Sequence, residues 1–178
     1  MAPPSFCECE VPVCTEKSNP CGTRSFEWGL PRGISSPGCK GKEEPALTIE
    51  GGCHCGAVRY EIEGEANHVA VCHCTDCRRC AGAMGVAWAG FPIANLSLSG
   101  DTAVYASSPG VERRFCLICG TGLFYINADA PGQVDVQVAT LDEPECLPPV
   151  RHVQMADAAD WEKTFHQLPM HDRYPAQD

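Results

Sequence analysis

An all-β fold of short strands follows from three observations. Apolar residues recur with a period of two in short segments, as in Val58, Tyr60 and Ile62 against Arg59, Glu61 and Glu63. The segments follow one another closely, separated by Gly, Asp, Ser and Pro. Seven cysteines fall into three tight clusters that can staple such strands through metal ions: Cys53-His54-Cys55, Cys72-His73-Cys74-Thr75-Asp76-Cys77 and Cys116-Leu117-Ile118-Cys119.

In chain order, residues 1–46 read as a Pro/Gly/Cys-rich extension. Seven prolines and five glycines interrupt it and no hydrophobic period survives, which is the composition of a disordered arm. Its five cysteines include Cys7-Glu8-Cys9, half of a metal site with no matching second pair. Residues 47–178 carry the folded domain. The expected strands are the Val58–Ile62 alternation, Val69–Val71, the apolar run Met84–Phe91, Leu96 with Leu98, Thr102–Tyr105, Glu112–Phe115, Leu123–Asn127, and the alternation of Val134, Val136 and Val138. Helix is expected only as a turn around Asp76–Ala81 and another near Asp160–Phe165.

Charge narrows the partners. The net charge is −10, with five Lys/Arg against six Asp/Glu in residues 1–46 and therefore eight against seventeen in the remainder. An acidic domain repels phosphate backbones, so nucleic acid is not an expected partner. No apolar run is long enough to span a bilayer, and Met-Ala-Pro-Pro opens the chain without a basic and apolar leader, so no membrane partner and a cytoplasmic, reducing location are expected. In that setting the fourteen cysteines read as metal ligands rather than a disulfide framework.

The clusters differ in closure. Cys53 and Cys55 pair most economically with Cys116 and Cys119, about sixty residues on, as a four-thiolate structural zinc site. Such a site carries folding free energy of about 10–16 kcal/mol in small zinc peptides. Cys72, Cys74 and Cys77 supply three thiolates and leave one position on Zn²⁺ for water or an incoming thiol, which suits chemistry at sulfur. Cys77-Arg78-Arg79-Cys80 is itself C-x2-C, so Cys80 is a candidate fourth ligand; spacing alone leaves open and closed sites equally supported, and a Cys77–Cys80 redox pair is a further alternative. His54 and His73 are expected to point away from the metals. Arg78 and Arg79 follow the third ligand directly and Arg113 and Arg114 precede Cys116; either pair is a candidate for clamping carboxylates of a small anion, with offsetting of thiolate charge or a place in solvent as the alternative, which suits Arg113 and Arg114 better.

Taken together, Gly52-Cys53-His54-Cys55-Gly56, then Cys72-His73-Cys74 with Cys77-Arg78-Arg79 and Gly82, then Phe115-Cys116 with Cys119-Gly120-Thr121 resemble the glutathione-dependent formaldehyde-activating enzyme family, which includes centromere protein V. The resemblance continues through Val134–Asp142 to Pro149, His152, Trp161 and Leu168-Pro169, covers about residues 48–172, and leaves the arm outside. It implies a zinc-stapled β "tent". It implies a structural zinc on Cys53, Cys55, Cys116 and Cys119, and a catalytic zinc on Cys72, Cys74 and Cys77. The implied activity is carbon–sulfur lyase chemistry, joining glutathione, or a similar thiol, to formaldehyde as S-(hydroxymethyl)glutathione; the expected partners are therefore a small-molecule thiol and an aldehyde. Arg78 and Arg79 would meet the glutathione carboxylates. Cys80 stands where that family pattern does not ordinarily place cysteine. The contrasting reading is a non-catalytic zinc-binding interaction module with its second site closed.

Overall fold

The computed structural model describes residues 47–174. The extension at residues 1–46, with Cys7 and Cys9, lies outside the described residues, as do residues 175–178.

Among the described residues ten strands form in chain order: β1 (Thr48–Gly52), β2 (Arg59–Glu63), β3 (His68–Cys72), β4 (Val86–Pro92), β5 (Leu96–Ser99), β6 (Thr102–Ser108), β7 (Val111–Cys116), β8 (Gly122–Asn127), β9 (Gln133–Gln137) and β10 (His152–Val153). One α-helix, α1 (Thr75–Ala81), falls between β3 and β4, and short 3-10 turns punctuate the rest, the longest at Asp160–Gln167. The all-β expectation therefore holds, and both expected helical pieces are present, the second as 3-10.

The strands make two sheets. One is antiparallel with order β1-β2-β5. The other runs β10-β3-β4-β9-β8-β7-β6, antiparallel throughout except where β10 lies parallel to β3. Alternation in β2 buries Tyr60 and Ile62 and exposes Arg59, Glu61 and Glu63, the signature of a strand with one solvated face. The buried side chains join Phe91, Leu123, Phe124, Val134 and Val136 in one core that also contains Cys53 and Cys116. Tyr60 meets Phe124 edge-on at 5.2 Å, and its hydroxyl shares a 2.6 Å hydrogen bond with Thr140 Oγ1.

The first sheet comes so close to this tyrosine that β1 has room only for glycine at residue 51. A Cβ there would collide with the Tyr60 ring and lie 2.6 Å from the Thr140 carbonyl oxygen. The alternation at Val134 and Val136 stops being strand at Val138, which opens a 3-10 turn, Val138–Thr140, beneath β1; Leu141 then bridges back to Gly51. The turn is what brings Thr140 to Tyr60. β1 and β10 are the strands that the sequence pattern did not delimit.

Candidate metal centres

Four sulfurs gather where the turn after β1 meets the β7–β8 turn. The Sγ atoms of Cys53, Cys55, Cys116 and Cys119 all lie within 4.8 Å of one another, with Cys53–Cys55 at 3.5 Å and Cys55–Cys116 at 3.8 Å. Zinc–sulfur bonds of about 2.3 Å in a tetrahedron set sulfurs roughly 3.8 Å apart, so this donor set fits zinc in number, type and spacing. The backbone N–H groups of Val58 and Ile118 donate to Cys53 Sγ and Cys116 Sγ at 3.2 and 3.4 Å. Gly56 and Gly120 follow their pairs with φ of 77° and 74°, the left-handed geometry that lets each turn curl round a common centre. In β7 a bulge between Arg114 and Phe115 shifts the inward phase and delivers Cys116 to the core.

Three sulfurs gather at the junction of β3 and α1. Cys72 ends β3, Cys74 is the N-cap of α1, and Cys77 is buried in its first turn. Their Sγ atoms also lie within 4.8 Å of one another. The Cys77 N–H donates to Cys74 Sγ at 3.3 Å, so the helix cap is built from a candidate ligand. Cys80 stands exposed one turn further on and is outside this group; so are His54 and His73.

Arg113, from strand β7, reaches across to the three sulfurs. Its Nη1 and Nη2 lie 3.9 and 3.7 Å from Cys77 Sγ, its Nε donates to Ser107 Oγ at 3.1 Å, and the guanidinium sits 5.0 Å above the Tyr125 ring. The strand alternation turns Val111 and Arg113 inward and leaves Glu112 exposed. The Cys72 hydrogen bond lowers the Cys77 thiol most, and Cys74 and Arg113 reinforce it against burial, so that it falls to about 5. The same bond to Cys77 pushes Cys72 up, and burial raises Cys74. One thiolate centred on Cys77 is thus favoured even among the sulfurs alone.

A cavity of about 490 Å³ opens over these sulfurs, walled by Trp88, Arg113, Tyr125, Asp135 and Gln154. Gln154 adopts φ 58° and ψ 37°, an uncommon conformation for a residue other than glycine, here on the cavity rim. Arg78 and Arg79 do not line this cavity: Arg78 Nη1 donates to the Asp157 carbonyl at 2.9 Å and Arg79 is exposed.

A chain of polar groups runs from buried His73 in one direction to Glu162 and in the other to exposed His152. His73 Nδ1 lies 2.7 Å from Glu162 Oε2, and His73 Nε2 lies 2.9 Å from His152 Nδ1. The other Glu162 oxygen accepts from the Ala159 N–H at 2.9 Å and fixes the start of the Asp160–Gln167 turn. Spacing alone marked His73 as a non-ligand and nothing more; its position between two candidate ligand cysteines is the signal that it anchors their loop.

A family model described as glutathione-dependent formaldehyde-activating enzyme matches residues 48–157. A putative glutathione-dependent formaldehyde-activating enzyme of Halomonas elongata is 31% identical over 134 residues, which are 65% of this chain and 80% of that protein. An uncharacterized lyase of Schizosaccharomyces pombe is 30% identical over 112 residues, 54% of this chain and 82% of its own. A solved Rhodobacter sphaeroides protein aligns with 58% of this chain and 99% of its own length at 26% identity and a TM-score of 0.49.

Proposed function

The chain belongs to the glutathione-dependent formaldehyde-activating enzyme family, and on that premise we propose that it is a zinc-dependent carbon–sulfur lyase acting on the adduct of glutathione, or a similar thiol, with a small aldehyde such as formaldehyde. The observation that carries this reading is a three-sulfur group, one ligand short of a tetrahedron, lining a cavity large enough for a peptide thiol.

On this reading Cys53, Cys55, Cys116 and Cys119 hold a structural zinc, and Cys72, Cys74 and Cys77 hold a second. When bound there, the second ion supplies Lewis acidity that keeps an incoming thiol deprotonated. The remaining work belongs to the chain. Arg113 fixes Cys77 by two N–H donors and places a fixed positive charge where thiolate charge collects. Trp88 and Tyr125 meet with their rings tilted at 52° and their centroids 6.0 Å apart, and form an apolar wall that limits water over the sulfurs. In the forward direction the thiol sulfur bonds to the aldehyde carbon and the carbonyl oxygen takes up a proton. The reverse breaks the same carbon–sulfur bond, and no electrons are exchanged with another reactant. Arg113 is the cavity's own guanidinium, so it is better placed than Arg78 or Arg79 to meet a glutathione carboxylate.

The test is exchange spectroscopy on glutathione and formaldehyde at equilibrium. The zinc-loaded chain is expected to speed interconversion of free and hydroxymethylated thiol, and Cys77→Ser to lose that acceleration while staying folded. A wild-type rate equal to the uncatalysed one, with both zinc ions bound, contradicts the reading.

A further inference from the structure

We propose that a second cavity, between α1 and the β6–β7 hairpin, binds anionic disulfides such as glutathione disulfide, and that Cys80 is the thiol they modify. The proposal goes beyond the reading above and does not depend on it, because none of the three sulfurs lines this cavity, which shares only Trp88 and Arg113 with the first.

The cavity has a volume of about 650 Å³. Arg79, Arg113 and Arg114 all line it, and none of its lining residues is Asp or Glu. Three guanidinium groups without a carboxylate between them are unexpected in a chain with net charge −10. Their commitments differ. Arg113 already donates to Cys77 and Ser107. Arg114 reaches Glu112 through Nη2 at 3.3 Å, but its Nε is buried without a hydrogen-bond partner. Arg79 is exposed and makes no hydrogen bond or ion pair among the described residues. Donors thus remain for the carboxylates of a ligand, in the fork geometry suited to them. The exposed thiol of Cys80 lines the same cavity and stands outside the three-sulfur group.

The chemistry is thiol–disulfide exchange. Cys80 gives its proton to solvent and attacks one sulfur of the disulfide. A new bond joins Cys80 to one glutathionyl group as the original S–S bond breaks, and the other half leaves as a thiolate that takes a proton from solvent.

The experiment follows intact mass and peptide mapping of the full, zinc-loaded chain treated with glutathione disulfide, and separately with neutral hydroxyethyl disulfide. A first adduct of one glutathionyl group on Cys80 is expected, absent in Cys80→Ser. Arg79→Gln, an exposed change that leaves the fold intact, is expected to slow the glutathione reaction roughly 3–10-fold and leave the neutral reagent's rate unchanged. A first adduct on Cys55 or Cys119, or no adduct on Cys80, overturns the proposal. So do equal rates with and without the Arg79 side chain.

Discussion

Arg113 is the residue on which the open site turns. Its side chain is buried, and its two terminal nitrogens both face one sulfur. Replacing it with Ala removes a cation and two donors from beside Cys77 and leaves the Tyr125 ring uncovered. Loss of a supporting contact of this kind typically lowers metal affinity or activity ~10–100-fold. Arg113→Ala is therefore expected to weaken zinc at the three-sulfur site by that order in a chelator competition, with the four-sulfur site unchanged; Arg113→Lys is expected to restore only part, because an ammonium cannot reproduce the fork. Equal affinities in wild type and Arg113→Ala would show that the contact is incidental. The ligand cysteines themselves were legible in the sequence because their spacing is local. That Arg113 offsets thiolate charge was among the readings open from the sequence, but its place against Cys77 was not legible, because adjacency to a ligand in sequence favoured Arg78 and Arg79. In α1 those two follow Cys77 round the helix: Arg78 swings to the Asp157 carbonyl and Arg79 to solvent. The contact comes instead from a strand thirty-six residues on.

Among elements, the Asp160–Gln167 turn and β1 each hold one site by one residue. Glu162 joins its own turn to the Cys72–Cys74 loop through Ala159 and His73. Glu162→Ala is expected to loosen that loop and lower affinity at the three-sulfur site about 10-fold, again by chelator competition, without lowering the melting temperature of the sheet core. An unchanged affinity would make the chain of His152, His73 and Glu162 a matter of packing alone. For β1, Gly51→Ala forces a methyl group against Tyr60 and Thr140 and is expected to cost about 1–3 kcal/mol in denaturant unfolding; a loss of under half a kcal/mol would mean the sheet yields freely there. Period-two alternation marked β2 and β9 well because each has one buried and one wetter face. β10 was invisible for the opposite reason: it is two residues long and gains its identity only from parallel pairing with β3, a partner distant in sequence. Val138 kept the alternating pattern one residue beyond β9, where the need to place Thr140 under Tyr60 turned the backbone.

At the scale of the molecule the two sulfur groups divide the labour. The four-sulfur group ties the turn after β1 to the β7–β8 turn, and two of its cysteines sit inside the core. Cys53→Ser or Cys116→Ser is expected to leave the chain unfolded or insoluble, whereas Cys77→Ser is expected to keep β-rich circular dichroism; a Cys53→Ser protein melting cooperatively near the wild-type temperature would place the fold's stability elsewhere. The proposed chemistry requires the second group to accept an outside thiol. Cobalt substitution reads this directly, since thiolate-to-cobalt charge-transfer intensity counts the sulfurs round each ion. Adding glutathione should raise the intensity by one thiolate at the three-sulfur site and leave the other site unchanged, and in Cys77→Ser no such rise should occur. Four protein thiolates at both sites before glutathione, and no change after it, would contradict the account.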